Sequence, residues 1–344
     1  MTNVRFSFLD VCKCFGIFFV VLGHVSRGLQ NSGLITNINI FSYVDSIIYS
    51  FHMPLFFFVS GLLFMSSVKG KSKDIFILKK LDVIVYPYIL WSILQGSVEV
   101  ILSSQTNGSL SFLDVFQLWI PRAQFWFLYV IFIVFLLSLI FMAMLKDFFV
   151  FFILIFSLIL YIYSERFEDY NILKLLAYNF VFFSIACAIP IRQLHKFCCS
   201  KFVFFGSFFV AIFLQYYFHF TLSLNYTDRG FLCLFVSLSM ILFIFSFSVM
   251  IENYNTFFVK TCVLVGQSSL FIYLTHILVT SGFRIVLVKI FGINDLSFHI
   301  FFGTLLGLIL PFYFYQLIKD NKFKLLFTFP ISKLLNSKLN SRIL

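Results

Sequence analysis

The stretch FLDVCKCFGIFFVVLGHV, residues 8–25, is apolar enough to enter a bilayer and yet carries Asp10, Lys13 and His24. A plain anchor needs none of them, and an ionisable group inside a span is costly unless it faces a cavity or a partner. Lys13 and His24 are eleven residues apart, roughly 16 Å along a helix, so they do not touch. Eleven steps of a 3.6-residue helix return nearly to the starting face, so the two line one side of the segment. Asp10 and Lys13 are three apart, the spacing of an ion pair on a helix surface.

The rest of the chain has the same apolar character. Of its 344 residues 61% are hydrophobic and 11% charged, with 55 phenylalanines and only six prolines, and the mean hydropathy is +1.01. A water-soluble domain carries about a quarter charged residues. The apolar runs are continuous rather than alternating, which argues against a transmembrane barrel. The fold class expected is therefore an all-α polytopic membrane protein. A span needs about 20 mainly apolar residues. About ten transmembrane helices are expected: 8–28, 44–66, 82–103, 124–145, 148–164, 171–190, 202–220, 230–250, 262–281 and 298–318. No small-residue cleavage site follows the first, so it is read as a retained span rather than a signal peptide. No internal repeat is evident. The expected organisation is a transmembrane domain over residues 1–320 followed by a short basic tail over 321–344.

The net charge of +11 is spread between the apolar runs rather than gathered in one patch, so no nucleic-acid partner is expected. Residues 67–81 carry Lys69, Lys71, Lys73, Lys79 and Lys80; residues 191–201 carry Arg192, Lys196 and Lys201; the tail carries Lys319, Lys322, Lys324, Lys333, Lys338 and Arg342. The alternate loops differ. Residues 29–43 have no charge, 104–123 have Asp114 and Arg122, and 165–170 have Glu165, Arg166, Glu168 and Asp169. By the positive-inside rule both termini and the lysine-rich loop are expected in the cytoplasm, with an even number of crossings, as in a multi-pass protein of a bacterial inner membrane. The seven cysteines form no CxxC pair and no zinc spacing, so neither a disulfide framework nor a metal is expected.

This topology sets three histidines at one depth. His24 closes the first span, His52 lies in FHMPLFFFVSG (51–61) and His276 ends GQSSLFIYLTH (266–276). All three are expected in the outer half of the membrane. The plain alternative for any one of them is a buried histidine satisfied by a neighbouring helix, and that reading suits His195, His219 and His299. Gly23 sets His24 apart, because a glycine permits the close approach of another chain segment or a ligand. An imidazole takes and returns protons near neutral pH. It can serve acyl transfer as a general base or carry the acyl group transiently, and the residues leave both routes open. Lys79 and Lys80, at the mouth of the third span, together with Lys13, can meet the phosphates of a coenzyme A thioester. The alternative for them is topological. In PRAQFWFLYV (121–130), Arg122, Gln124 and Trp126 form either an interfacial belt or a platform for a sugar ring.

Three stretches together resemble the membrane acyltransferase-3 family, and within it the sugar and polysaccharide O-acetyltransferase branch. They are FLDVCKCFGIFFVVLGH (8–24), FHMPLFFFVSG (51–61) and VGQSSLFIYLTH (265–276), in family order, with FWFLYVIF (125–132) a weaker fourth. The resemblance implies transfer of an acetyl group from cytoplasmic acetyl-CoA, a co-substrate, to a hydroxyl of a cell-surface glycan such as an O-antigen, or to its lipid-linked oligosaccharide precursor. It makes His24 the essential histidine and Lys13 its basic partner, with Asp10, His52, Tyr273 and His276 at motif positions. Donor binding is assigned to Lys13, Lys79 and Lys80, and acceptor binding to Arg122, Trp126, Tyr273 and His276. Many members have arginines where this chain has Lys79 and Lys80. The expected partners are the bilayer, the acyl-CoA and the glycan, and a homo-oligomer is compatible with all of this. The alternative is a proton-coupled transporter or flippase of glycan intermediates, which inverted repeats and broken helices would favour; neither is evident in the sequence. A glycan polymerase would call for a large outer loop.

Overall fold

The computed structural model describes residues 6–70, 72–103, 111–167, 169, 171–254 and 256–332. Arg5, Lys71, Glu168, Lys333, Lys338 and Arg342 lie outside the described residues, as does the rest of the tail from 333 on. Among the described residues every regular element is helical. In chain order the α-helices are α1 (Ser7–Asn31), α2 (Ile38–Val68), α3 (Lys73–Lys80), α4 (Tyr86–Ile101), α5 (Trp126–Leu145), α6 (Phe149–Ile162), α7 (Asn171–Cys187), α8 (Ile191–Cys198), α9 (Lys201–Tyr216), α10 (Phe231–Glu252), α11 (Phe257–Gln267), α12 (Ser269–Lys289) and α13 (Leu296–Ile318).

Seven helical stretches among the described residues are long and apolar enough to cross a membrane, and eight if α7 and α8, bent by 87°, form one broken span. The difference from ten has local causes. The expected span 124–145 and all but the end of 148–164 fall within one helical stretch of 40 residues, Ala123–Ile162, through a short 3-10 turn at Lys146–Phe148. The expected span 262–281 divides at Ser268 between α11 and α12, of which α12 is long enough to cross, so its bounds change and the count does not. The expected span 82–103 begins as a π-helical turn, Leu81–Val85, and its α-helical part, α4, has 16 residues. An apolar run reports burial in lipid or protein; it does not report where the backbone turns.

Many large apolar side chains lie on the outside. Along α9, Phe202 is 92% exposed, and Phe205, Phe209 and Phe213 are exposed with it. These positions follow one another at roughly one-turn intervals on one side of the helix. A soluble protein does not carry such a stripe uncovered; a lipid-facing helix does.

The chain forms two compact units. The first comprises the residues up to Leu63 with Val150–Phe312, the second Phe64–Phe149 with the residues from Tyr313 on. In the first, a Cβ added at Gly16 would meet Leu55 and Phe56, and one at Gly23 would meet Ile48 and Tyr49. Rising numbers on α1 against falling numbers on α2 make the two helices antiparallel. Gly303 lies against Val25 and Gly307 against Val21, so α13 also runs against α1. The start of α1 is capped from outside: Glu252, ending α10, accepts hydrogen bonds from Ser7 Oγ at 2.7 Å and the Phe8 N–H at 3.1 Å. A carboxylate there complements the orphan donors and the positive end of the helix dipole.

Pro54 sits inside α2, where it can offer no N–H to the carbonyl of Ser50. In a bilayer no water replaces the missing donor. Ser237 of α10 does so: its Oγ donates to the Ser50 carbonyl at 2.5 Å and also lies 2.9 Å from its own helix's Cys233 carbonyl. Gln215 Nε2 of α9 reaches the Ser50 hydroxyl at 3.0 Å. Ser237→Ala is expected to lower stability by about 1–3 kcal/mol, the cost of a buried acceptor left unsatisfied, read as a fall in the thermal unfolding midpoint in detergent.

In the second unit the chain after α13 packs back onto α4. Tyr86 Oη donates to Leu325 O at 2.8 Å and Trp91 Nε1 to Leu326 O at 2.6 Å, while Asp82 accepts from the Ser332 N–H at 3.0 Å and from its hydroxyl. The described part of the stretch expected as a basic tail, residues 321–332, is thus held by three side chains of this unit.

Candidate active site

Helices α1 and α12 bring His24 and His276 together in the first unit, with ring centroids 5.1 Å apart. His276 is fully buried. Its Nδ1 lies 3.0 Å from Ile272 O and 2.9 Å from Tyr273 O. Two carbonyls can only accept, so the N–H is on Nδ1 and Nε2 carries the lone pair. That Nε2 is buried and has no hydrogen-bond partner among the described residues. His52 is held in the same tautomer by one carbonyl, its Nδ1 donating to Ile48 O at 2.7 Å. Tyr49 joins the two sides of the cluster. Its ring stands edge-on to His52 with centroids 4.5 Å apart, and 6.4 Å from His24; its hydroxyl is also buried without a partner among the described residues. Buried polar atoms are nearly always satisfied in a finished structure, so two orphans beside His24 mark a place for another group. Gly23 serves this packing directly, since its bare Cα lets the Tyr49 ring lie against α1.

The sequence reading missed the charged side of the cluster. Arg27 Nε donates to Asp45 Oδ1 at 2.7 Å, and its Nη2 donates to Asp45 Oδ2 at 2.8 Å and to Tyr226 Oη at 2.9 Å. Its guanidinium also stacks 3.3 Å above the Tyr49 ring centroid. The bidentate fork fixes Arg27, and Arg27 fixes the tyrosine that touches both histidine neighbourhoods. A signal existed in the spacing. Asp45, Tyr49 and His52 fall at i, i+4 and i+7 on one face of α2, and Arg27 lies one turn past His24.

Of the other predicted residues, Lys13 pairs with Asp10 at 2.6 Å. Asp10 is buried, and its backbone carbonyl is the surface on which Gly266 of α11 rests. Tyr273 is buried, and its carbonyl is one of the two that hold His276. Lys79, Lys80, Arg122 and Trp126 belong to the second unit. Lys79 is exposed. Lys80 lies with its Nζ 4.0 Å above the Phe135 ring and 5.1 Å from that of Phe76. Arg122 Nη2 donates to Asp114 O at 2.6 Å, Gln124 pairs with Gln95 at 2.7 Å, and Trp126 is half-buried. The three remaining histidines have partners of their own: His195 pairs with Glu252, His219 Nδ1 lies 3.2 Å from Ser46 Oγ and 3.0 Å from Leu224 O, and His299 Nε2 lies 2.8 Å from Ile293 O.

A histidine pair with one lone pair unspent, inside an apolar helical unit, suits the movement of a proton or an acyl group. The chain belongs to the acyltransferase-3 family, whose model, described as an acyltransferase domain, matches residues 6–316. No curated protein and no solved structure matches it. The family and the apolar helices together make this an integral membrane protein with an acyltransferase domain.

Proposed function

We propose that the protein transfers an acetyl group from acetyl-CoA to a hydroxyl of a cell-surface glycan, such as an O-antigen, or of its lipid-linked precursor, in a bacterial inner membrane. The observation that carries this reading is the pair His24 and His276, five ångströms apart, with His276 held in one tautomer by two carbonyls. A fixed Nε2 acceptor beside His24 can hold an N–H of that ring and leave its other nitrogen as the base, the base-and-orienter logic of nucleophilic catalysis. The two rings share no hydrogen bond here, and catalytic hydrogen bonds commonly tighten only on binding.

In the direct route, His24 takes the hydroxyl proton as the acceptor oxygen bonds to the acetyl carbon. The thioester C–S bond breaks, and the proton leaves on the coenzyme A thiol. In the two-step route His24 first displaces the thiol and carries the acetyl group, and the hydroxyl then displaces His24. Both termini lie in the cytoplasm in this reading, so the donor enters at the Lys13 end of α1, with Lys79 and Lys80 taking its phosphates. Arg122, Trp126, Tyr273 and His276 serve the acceptor, with His52 and Asp10 supporting the histidine and the lysine respectively.

The test is label transfer from acetyl-CoA to the native host's surface glycan by membranes with and without the protein, joined to mass analysis of the glycan. One additional acetyl per repeat is expected. Activity that needs a proton gradient and yields no acetylated product would replace this reading with transport.

A further inference from the structure

We propose that Arg284 and the recess it shares with His24 form a binding site for one phosphate oxygen of a lipid, on a membrane-anchored acceptor or a bilayer phospholipid. The recess lies in the first unit and is lined by His24, Gly28, Thr280, Ser281, Arg284 and His299. It holds about 20 Å³, room for one water-sized group. A sugar ring does not fit there; a single charged oxygen does, with the rest of its headgroup outside.

Arg284 supplies the charge. His276, Thr280 and Arg284 recur every four residues on α12, so they share one face. His24 lies beside His276, and Gly28 beside Arg284, so α1 and α12 run parallel and Arg284 stands two turns beyond His276. It is five residues from the end of α12 at Lys289, roughly 7 Å by helical rise. One of its amino groups donates to the Gly28 carbonyl, which holds the guanidinium toward the recess. A guanidinium has five N–H donors, and among the described residues no carboxylate pairs with this one.

Arg27, by contrast, has a carboxylate of its own, and other acids of the first unit accept hydrogen bonds elsewhere. Asp45 is spent on Arg27, Asp228 accepts the Asn225 N–H at 2.8 Å, and Asp295 accepts the Phe298 N–H at 2.7 Å at the start of α13. An unpaired arginine within a span marks a functional anion or pathway, and a guanidinium fork matches phosphate. The proposal rests on the acyl-transfer reading only for its purpose: a phosphate held here would keep an anchored acceptor beside His24.

The test reads binding without acetyl-CoA, so it fails or succeeds independently of acyl transfer. The full-length protein in detergent is titrated with farnesyl phosphate, farnesol, phosphatidylglycerol and diacylglycerol while its thermal midpoint is followed, since a ligand of the folded state raises it. Farnesyl phosphate or phosphatidylglycerol is expected to stabilise the protein where its phosphate-free counterpart does not. Stabilisation by the first alone assigns a prenyl-linked acceptor, and by the second alone a bilayer lipid. Arg284→Gln should raise the half-saturating concentration about tenfold, with Arg284→Lys in between. Equal effects of farnesol and farnesyl phosphate, unchanged half-saturation in Arg284→Gln, or stabilisation by neither phosphate lipid would overturn the proposal. If Arg284→Gln does not survive purification, the phosphate-against-alcohol comparison on the native protein decides.

Discussion

His24→Ala is expected to lower acetyl transfer by about 10²–10⁴-fold, the range lost with a general acid–base group, while leaving the thermal midpoint nearly unchanged. The stability half of that expectation comes from the site. His24 is half-buried and makes no hydrogen bond among the described residues, so truncation removes a ring from the edge of a recess rather than a strut. His276→Gln is the informative companion. It removes the fixed lone pair beside His24 but keeps a polar side chain, and a smaller loss, nearer tenfold, is expected if His276 orients rather than reacts. Rapid quenching in denaturant near neutral pH of wild-type protein with labelled acetyl-CoA separates the two routes, because only the acyl-carrier route leaves label on the His24 peptide. Undiminished transfer by His24→Ala would remove the histidine from the chemistry.

Gly266→Ala is the second large effect, and it is one of stability. A Cβ at Gly266 would stand 1.8 Å from the Asp10 carbonyl oxygen and 2.6 Å from its carbon. Both are backbone atoms, so no side chain can swing aside, and α11 must leave α1. Overpacking usually costs about 1–3 kcal/mol, and this contact belongs at or above the top of that range, since the neighbour that must give is a helix backbone. The expected readout is loss of protein surviving detergent extraction, or a midpoint many degrees lower. Gly206→Ala and Gly282→Ala are the controls, because an added Cβ there meets nothing within 4 Å. In a helix interior they should be neutral or stabilising by up to about 1 kcal/mol. If all three variants behave alike, the α1–α11 crossing is not as close as described.

The class of fold was legible because a bilayer imposes it: long apolar runs with charges between them admit little but helices. The number and bounds of the crossings were less so. The run 262–281 reads as one span because its composition continues through the polar GQSS, whereas the turn at Ser268 is a matter of backbone angles. In the site, His24, His52 and His276 stood out as histidines within apolar runs at one expected depth, in stretches that resemble the family's. Arg27 and Arg284 did not. Only packing reveals that one has a carboxylate and that, among the described residues, the other has none. Asp10 was visible as the partner of Lys13, but its second role, as the platform under Gly266, joins segments far apart in the chain and leaves no local trace.

The proline of FHMPLFFFVSG has a consequence for assembly as well as for strength. By withholding a donor at one height of α2, it creates an address in the membrane that only a helix presenting a hydroxyl at the same height can answer, and α10 answers with Ser237. Apolar helices in lipid can slide and rotate against one another at little cost, since every register buries similar surface. A single liberated carbonyl removes that degeneracy. The motif thereby sets the vertical alignment of α2, and with it the level at which His52 and Tyr49 stand beside α1.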